Sequence, residues 1–489
     1  MPASRPAWPS PVTSLLSPCR SLAAPPHPPP APPRLTPTCR TGTSGCCSCS
    51  ANEGFLMTIE DRLTLFPVST AIQNDKMMIS GCDVEALAEE HGTPLYIYDQ
   101  TELDRAAGLY RRALAESWPG AWSVTYAGKA FLNAAIAKWA AGHGFKVDCT
   151  GAGEIGIAVH AGLKRAQILV HGVNKSEEDL LAALRHAGTI VVDNLSELRK
   201  IANLAGTGPI PELWLRFQPG LAVQTHHAAT QTGHEGSKFG MSEMQIMEAA
   251  AFCRQHGLPL KGIHFHQGSQ FRDPSPLQPA IEKALDLAQE IGLSGEWHFS
   301  PGGGWGVAYH EDELPQPDVQ EYLRAVTEWT RESCQRRGMD LPHLHLEPGR
   351  SLVARAGVAV YRVGTVKQTG DRTWLLVDGG MADNPRKALY GARYSCLTVT
   401  KAMENPTEKF SIAGPFCESG DILVDEILLR PIEEGELIAI PVSGAYHISM
   451  ASNYNGARRP AVLLVENGKI RVIVTREMIN DLMMRQIST

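Results

Sequence analysis

The sequence lacks the features that membrane proteins and nucleic-acid-binding proteins require. No stretch approaches the roughly 18 consecutive uncharged apolar residues of a membrane helix, so we predict no membrane span. The net charge is −7 and the isoelectric point is about 6.2, which gives no reason to expect a nucleic-acid partner. With 489 residues, of which 43% are hydrophobic and 20% charged, the chain has a globular composition and room for two or three domains.

Acidic residues are absent from the beginning of the chain, where the first is Glu53. The first 50 residues instead contain 13 of the 34 prolines and five of the eleven cysteines, without hydrophobic periodicity. We therefore predict a disordered N-terminal extension over residues 1–56. The favoured interpretation is that this extension comes from an upstream translation start and that Met57 is the natural first residue. This interpretation predicts a cytoplasmic enzyme. The alternative is a transit peptide, which would direct the protein to a plastid.

Cysteines with zinc-binding spacing are also missing. Cys46, Cys47 and Cys49 lack the CxxC spacing and have no matching second pair, so we expect no metal there. The six other cysteines are scattered over the rest of the chain, as is usual for reduced thiols.

A regular alternation of apolar β-rich runs and amphipathic helices fills residues 96–345. The eight predicted barrel strands lie at 122–127, 146–149, 167–172, 189–194, 212–217, 260–266, 296–302 and 344–349. Eight β-α units in about 250 residues predict an α/β fold, a (β/α)8 TIM-type barrel, with an open doubly wound sheet as the alternative. The polar residues at the strand ends would then meet at one mouth; they are Lys129, Asp148, His171, Asp193, Arg216, His266, Gly302 to Gly304 and Glu347.

The last third of the chain has the pattern of an all-β domain, which we place at residues 346–489. Its long apolar runs alternate with turn residues, and Asn467-Gly468 predicts a hairpin. We expect the N-terminal segment 57–95 to pack on this domain.

Two motifs in the predicted barrel carry candidate chemistry. Lys129, in Tyr-Ala-Gly-Lys-Ala, follows an apolar strand, and a lysine in a dry site can form a Schiff base; the alternative is a surface lysine. His264 and His266 share one face of a strand. They could bind zinc, which the lack of a third ligand disfavours, or stack on a flat cofactor, with Gly268 and Ser269 as phosphate donors.

Three further motifs follow. The glycine-rich run 300–306 comes after the seventh barrel strand, where barrels often bind phosphate, and it lacks the Gly-Lys-Ser/Thr ending of a Walker loop. Glu347 could keep a pyridine nitrogen protonated, and Arg350 could bind a carboxylate or phosphate; a structural ion pair is the alternative. Cys417, beside Glu418, is a candidate proton donor, although a lone cysteine is usually a buried small residue.

Together these motifs resemble the fold-type III pyridoxal-phosphate enzymes, the relatives of alanine racemase and ornithine decarboxylase. The resemblance runs from about residue 62 to 485. It includes Gly92-Thr93-Pro94-Leu95-Tyr96, Ser237-Lys238-Phe239-Gly240, Asp378-Gly379-Gly380, Arg386-Lys387-Ala388-Leu389-Tyr390 and Ser452-Asn453-Tyr454-Asn455. It implies a barrel that binds pyridoxal 5′-phosphate, followed by a β-domain.

The resemblance also implies residue roles. Lys129 would carry the cofactor as a Schiff base, and Cys417 would return a proton to the substrate carbon. The implied cofactor contacts are Lys129, Asp148, His266, Ser269, Gly302, Gly303, Gly304, Glu347, Pro348, Gly349, Arg350 and Tyr446. The implied substrate contacts are Arg350, Arg386, Tyr390, Glu418 and Tyr446. No metal site is implied.

Within this family, the motifs are most similar to the branch that decarboxylates meso-2,6-diaminopimelate to L-lysine, the last step of lysine biosynthesis. Decarboxylation of another amino acid or of a carrier-bound substrate is the alternative; a racemase or a non-catalytic regulator fits the motifs less well. In this family the Cys-Glu segment enters the partner's site, so a homodimer is implied. Four residues depart from the usual pattern: Gly151 stands for Ser, Gln267 for Ile, Lys387 for Pro and His447 for Gly.

Overall fold

The described part of the chain, in a computed structural model, comprises residues 58–206, 208–221, 233 and 236–487. The extension predicted for residues 1–56 lies outside these residues. No helix among the described residues is both long and apolar enough to cross a membrane.

The N-terminal segment forms a small three-stranded sheet with flanking helices. Its elements are α1 (Ile59–Leu63), β1 (Ala71–Gln73), β2 (Lys76–Ile79), β3 (Cys82–Asp83) and α2 (Val84–His91). Met77 and Val84 are fully buried and belong to one hydrophobic cluster with Leu95, Val358 and Leu463 of the C-terminal sheet. This segment therefore packs on the β-domain.

The strand β4 (Leu95–Asp99) belongs to the C-terminal sheet, and helix α3 (Gln100–Ser117) follows it directly. β4 pairs antiparallel with residues 357–360 and parallel with residues 461–465. The boundary expected between residues 95 and 96 thus falls inside a strand, and the first barrel strand begins at Trp122.

Eight parallel strands among the described residues close into a barrel, which confirms the predicted fold class. The barrel strands are β5 (Trp122–Ala127), β6 (Lys146–Cys149), β7 (Ile168–Val170), β8 (Thr189–Val192), β9 (Glu212–Arg216), β10 (Leu260–His264), β11 (His298–Ser300) and β12 (His343–Leu346). The helices between them are α4 (Ala134–Gly142), α5 (Ala152–His160), α6 (Glu177–His186), α7 (Leu195–Leu204), α8 (Glu243–Gln255), α9 (Gln278–Glu290) and α10 (Val319–Arg337).

Local sequence signals explain where several of these helices begin and end. α6 and α8 start at the capping boxes of Ser176 with Asp179 and of Ser242 with Gln245, which satisfy the first backbone N–H groups. α10 ends at Gly338 in the left-handed conformation, with φ of 61°.

The C-terminal domain is a mixed sheet. After α11 (Arg350–Val353) it contains β13 (Gly357–Thr369), β14 (Arg372–Val377), α12 (Arg386–Tyr390), β15 (Leu397–Thr398), β16 (Glu408–Ala413), β17 (Ile422–Leu429), β18 (Leu437–Ile440), β19 (Ala461–Glu466), β20 (Lys469–Val474) and α13 (Ile479–Met483). The strand order is β17-β16-β14-β13-β4-β19-β20, with β18 joining β13 to β15. Asn467 and Gly468 form the turn between β19 and β20, both with positive φ, as hairpin geometry requires.

Candidate active site

A cavity of about 300 Å3 opens at the carboxyl ends of the barrel strands, where barrel enzymes hold their active sites. Its lining residues come from both domains: Lys129, Asp148, Thr150, His171, Gly172, Arg216, Phe239, His264, His266, Ser269, Gln270, Glu347, Arg350, Arg386, Tyr390, Tyr446 and Met450. The convergence of strand-end residues expected from the sequence is therefore present for Lys129, Asp148, His171, Arg216, His266 and Glu347. Asp193 does not line the cavity itself, but its Oδ1 lies 3.8 Å from Nη1 of the lining residue Arg216.

Lys129 lies on a tight turn that both domains hold in place. The turn, Gly128–Ala130, follows β5. The Ala130 carbonyl accepts hydrogen bonds from the backbone N–H of Tyr446 at 2.8 Å and from the Ser449 hydroxyl at 3.1 Å. Tyr446 has φ of 62°, which is uncommon for a residue with a side chain and marks a constrained backbone. The β-domain thus fixes the backbone on which Lys129 projects into the cavity.

Glu347 is a buried carboxylate held by hydrogen-bond donors. Its Oε2 lies 3.2 Å from Nε2 of both His264 and His171, and its Oε1 accepts a hydrogen bond from the Ser300 hydroxyl at 2.7 Å. Burial alone would raise the pKa of Glu347, but the two imidazoles hold it well below its usual range. Burial lowers the pKa of His264 and of His171, so both rings stay neutral, and His264 donates a hydrogen bond to Glu347. Glu347 therefore stays anionic in the wall of the cavity.

Asp148 is a second buried carboxylate, but it lacks such support. It is 3% exposed, and its Oδ1 has no hydrogen-bond partner among the described residues. Burial raises its pKa to about 6, although His171 and Lys129 act in the opposite direction. An orphaned acceptor of this kind, aimed at a cavity, fits a site that receives a ligand with a donor group.

The glycine-rich loop after β11 packs under His266. The Nδ1 of His266 accepts a hydrogen bond from the Gly303 N–H at 3.2 Å, and burial lowers the pKa of His266 well below its usual range. A Cβ on Gly303 would lie 2.1 Å from the Glu347 carbonyl oxygen, so a side chain cannot be accommodated there. The loop therefore helps to hold the His266 ring at the cavity wall.

Two arginines enter the cavity without a carboxylate partner. Arg350 and Arg386 are 7% and 6% exposed, and neither forms an ion pair with any described residue. Arg386 lies over the Tyr309 ring at 4.2 Å, and Arg350 lies over the Tyr446 ring at 4.8 Å. Arg350 also donates to the Ser269 hydroxyl at 2.9 Å. Buried guanidinium groups require compensation, so this pair of arginines defines an anion site.

Three residues of the site were not predicted from the sequence. Tyr309 lies under Arg386 and also hydrogen-bonds to Arg350. Tyr394 accepts a hydrogen bond from Arg386 Nη1 at 2.6 Å, and its hydroxyl lies 2.7 Å from Nε2 of His447. Of these three residues, only His447 stood out in the sequence, because it replaces the glycine that is usual in the family.

Cys417 and Glu418 are not among the residues that line the cavity. Cys417 is exposed, and its backbone N–H donates to Asn455 Oδ1 at 3.0 Å. The chain therefore does not bring this pair to its own Lys129.

Lys387 also stays outside the cavity lining. Its ammonium group pairs with Asp425 on β17. The departure from the family's proline at this position thus adds an ion pair within the β-domain, not a second cation in the cavity.

The carboxyl end of the barrel holds a lysine, a supported carboxylate and two guanidinium groups that have no carboxylate partner among the described residues. This arrangement defines an enzyme site for an anionic cofactor and an anionic substrate. Comparison with known proteins agrees. Residues 101–354 match the family model described as "Pyridoxal-dependent decarboxylase, pyridoxal binding domain".

Among curated proteins, the chain is 39% identical to diaminopimelate decarboxylase of Bacillus subtilis, over 84% of this chain and 95% of that protein. It is 37% identical to the enzyme of the same name from Synechocystis, over 86% of this chain and 92% of that protein. Among solved structures, diaminopimelate decarboxylase from M. jannaschii in complex with L-lysine superposes with a TM-score of 0.78 at 30% identity, covering 86% of this chain and 98% of that one. The chain belongs to the family of pyridoxal-dependent decarboxylases and, within it, to the diaminopimelate decarboxylases.

Proposed function

We propose that this protein decarboxylates meso-2,6-diaminopimelate to L-lysine and CO2 with pyridoxal 5′-phosphate as cofactor. The observation that carries the proposal is the pair of buried arginines, Arg350 and Arg386, which face the same cavity as Lys129 and form no ion pair within the described part of the chain. Relatives named for this reaction, and structures of such relatives with bound L-lysine, support the choice of substrate.

The residues of the cavity fit the cofactor. Lys129 would hold it covalently, and His266 would stack on its ring. Ser269, Gly302, Gly303, Gly304 and Arg350 would bind its phosphate, Tyr446 would contact it, and Pro348 and Gly349 would form the wall next to Lys129. Oδ1 of Asp148 and Nε of Arg350 both favour this assignment. Each is buried without a hydrogen-bond partner among the described residues, so a bound ligand could supply one. When bound, pyridoxal phosphate supplies the electron sink for the pair left behind as the carboxylate departs.

Glu347 would keep a proton on the ring nitrogen of the cofactor. Its low pKa, together with donation from His264 and Ser300, keeps it an anion at neutral pH, and an adjacent anion favours the protonated form of a pyridine nitrogen. His264 and His171 orient this carboxylate and do not need to exchange protons themselves.

The distal end of the substrate would be bound by groups of opposite charge. Arg386 would bind the distal carboxylate, assisted by Tyr390, and Glu418 would bind the distal ammonium. The bond between the α-carbon and its carboxylate breaks, CO2 leaves, and Cys417 delivers a proton to that carbon. Because Cys417 and Glu418 do not line the cavity of their own chain, they would come from the partner subunit of a homodimer.

The direct test is product analysis with a substrate panel. The full chain, supplied with pyridoxal phosphate, is incubated with meso-diaminopimelate, L-lysine, L-ornithine or L-arginine, and CO2 and amino-acid products are quantified. We expect one L-lysine and one CO2 per diaminopimelate consumed, and little release from the monocarboxylates. Release of CO2 from ornithine or arginine, with none from diaminopimelate, would contradict the proposal.

A further inference from the structure

The opposite end of the barrel contains a cluster of histidines that the proposed reaction does not use. His298 and His343 are the first residues of β11 and β12, and they pair in register on these neighbouring strands. Successive side chains on a strand alternate in direction, so residues two apart share a face. His345 therefore faces the barrel interior with Glu347, and His298 does so with Ser300.

The three imidazoles are close enough to share a ligand. Nδ1 of His298 lies 2.9 Å from Nε2 of His345, and one ring nitrogen from each of the three histidines lies within 4.8 Å of the others. Tetrahedral zinc with bonds of 2.0–2.1 Å holds its nitrogen ligands about 3.4 Å apart, so small ring rotations would suffice. We propose that His298, His343 and His345 form a binding site for a divalent transition-metal ion at the amino end of the barrel.

Neighbouring polar groups fit this role. Oε2 of Glu212, the first residue of β9, lies 3.4 Å from Nε2 of His298, so Nδ1 of His298 would bind the metal in place of its present contact with His345. The Ser123 hydroxyl lies 2.7 Å from Nε2 of His343. Carboxylates and hydroxyls behind metal-binding histidines fix the ring orientation and the tautomer.

The surroundings of His343 and His345 keep these two rings neutral. Burial, together with the neighbouring His298, lowers the pKa of His343 to about 4, and burial lowers that of His345 well below its usual range. Both rings are thus neutral at pH 7 and can donate a lone pair.

One nearby group opposes a cation. The Lys146 ammonium lies 5.8 Å from the centre of the Trp214 ring, which in turn packs against His345, and it acts on both His343 and His345. Burial lowers the pKa of Lys146, and Glu212 offsets its charge in part. The site should therefore favour ions that bind imidazole strongly, such as Zn2+, Co2+ or Ni2+, over Mg2+ or Ca2+.

The site is separate from the candidate active site but can be reached from solvent. A second grouping of potential metal ligands among the described residues, formed by His171, His264 and Glu347, lies in the active-site cavity and belongs to it. At the amino end, the side chain of Glu212 is 41% exposed and that of His298 is 15% exposed. An ion could enter from that side without crossing the cofactor pocket.

The test is metal binding by the full-length holoenzyme after dialysis against a chelator. Zinc is titrated by calorimetry, and bound metal is counted by elemental analysis in the wild type, His298→Gln, His343→Gln and the control His160→Gln, an exposed residue at the end of α5. We expect one zinc site that weakens by about tenfold or more in the first two variants and is unchanged in His160→Gln. Metal held by cysteines would persist equally in all four proteins, and that result would overturn the proposal, as would the absence of binding to wild type.

Two further measurements do not depend on the folding of the histidine variants. Glu212→Gln changes a partly exposed side chain and should weaken zinc by about tenfold through the orientation of His298. The visible spectrum of the cobalt-substituted wild type should show tetrahedral bands without a thiolate charge-transfer band. A strong thiolate band, or unchanged zinc affinity in Glu212→Gln, would count against this site.

Discussion

At the scale of single residues, the candidate site is organised by aromatic rings that hold arginines. Tyr309, Tyr394 and Tyr446 present faces or hydroxyls to Arg350 and Arg386, where carboxylates would otherwise be expected. A ring face stabilises a partly desolvated guanidinium without occupying its N–H groups. The arginines are thus positioned in advance without an ion pair to a described carboxylate, and the buried Nε of Arg350 has no hydrogen-bond partner among the described residues.

Arg386→Ala should reduce kcat/KM for diaminopimelate about tenfold to a hundredfold. This corresponds to the loss of one charge-assisted hydrogen bond, about 1.5–3 kcal/mol. The absorbance of the bound cofactor should change little, because Arg386 is assigned to the distal end of the substrate. Steady-state kinetics and an absorbance spectrum measure the two effects.

The matched control for this change is Arg393→Ala, which removes an exposed arginine that pairs with Asp312. It should leave kcat/KM within about twofold of wild type. Lys387→Pro in the Arg386→Ala background should cause no further loss, since Lys387 is engaged with Asp425. Wild-type kcat/KM in the Arg386 variants would refute the substrate assignment.

Tyr394→Phe should raise KM for diaminopimelate about five- to tenfold with a smaller effect on kcat. The Tyr394 oxygen accepts from Arg386, which leaves its own hydrogen for Nε2 of His447. Burial holds the pKa of His447 well below its usual range, so the neutral ring can accept it. Tyr322→Phe is the control, because the buried Tyr322 hydroxyl has no hydrogen-bond partner among the described residues. Equal KM values in the two variants would argue against this role of Tyr394.

Asp148→Asn should make the stability of the cofactor-free chain less dependent on pH. Burial raises the folded pKa of Asp148 from 3.8 to about 6, so the folded state binds the proton more tightly than the unfolded state. Its contribution to stability is therefore present below about pH 4 and is lost as the pH rises through 6. We compare the free energy of unfolding of the variant with that of wild type. This difference should favour the variant more at pH 7 than at pH 4, by up to about 3 kcal/mol. Denaturant unfolding at several pH values tests this, with the exposed Asp371→Asn as control; a constant difference would contradict it.

Residue identity predicted the reactive groups of the site but not their supporting residues. Lys129, His266, Glu347 and Arg350 stand in motifs whose chemistry can be read locally, and each lines the cavity. Tyr394, in contrast, reaches Arg386 because the chain turns at Gly391, the left-handed residue that ends α12. Such a contact leaves no trace in local composition or spacing.

At the scale of elements, the start of α5 shows how one side chain can cap two helices. Gly151 is the N-cap of α5 and provides no side-chain acceptor. Asp179, at the start of α6, accepts a hydrogen bond from the Ala152 N–H at 2.7 Å and also closes the capping box of Ser176. A Cβ on Gly151 would lie 2.8 Å from Asp179 Oδ1, so the departure from the family's serine is matched by this neighbouring carboxylate.

Asp179→Ala should therefore lower the free energy of unfolding by about 1–2 kcal/mol, since it removes a capping acceptor from two helices. Gly151→Ser should destabilise the wild type, where Asp179 occupies the space, but should recover part of the loss in the Asp179→Ala background, where a serine can cap α5. Denaturant unfolding of the two single variants and the double variant gives the interaction energy. Additive effects would refute the compensation.

Elements with local signals were predicted well, and elements defined by distant pairing were not. The barrel strands and the two capping boxes follow from periodicity and short motifs. β4 has the same apolar character as a barrel strand, and only its partners, more than 250 residues away in β13 and β19, place it in the other sheet. β16 is likewise held in this sheet by its pairing with β14 and β17.

At the scale of the whole molecule, the two domains share one site. The barrel contributes Lys129 and Glu347, and the β-domain contributes Arg386 and Tyr446. The hydrogen bonds from Tyr446 and Ser449 to Ala130 couple the domains at the lysine turn itself. The expected proton donor Cys417, however, is exposed and outside the cavity lining, which is the observation behind our proposal that a second copy of the chain completes the site.

Subunit complementation tests this arrangement. Lys129→Ala and Cys417→Ala should each be nearly inactive alone, the first without cofactor attachment and the second with normal cofactor absorbance. If Cys417 serves the partner's cavity, a heterodimer of the two variants contains one cavity with both Lys129 and Cys417 intact. Random reassortment of an equal mixture after dissociation and reassociation should therefore restore about a quarter of wild-type activity in a twofold-symmetric dimer. If each chain used its own Cys417, every cavity in the mixture would lack one of the two groups, and activity would stay at the level of the separate variants.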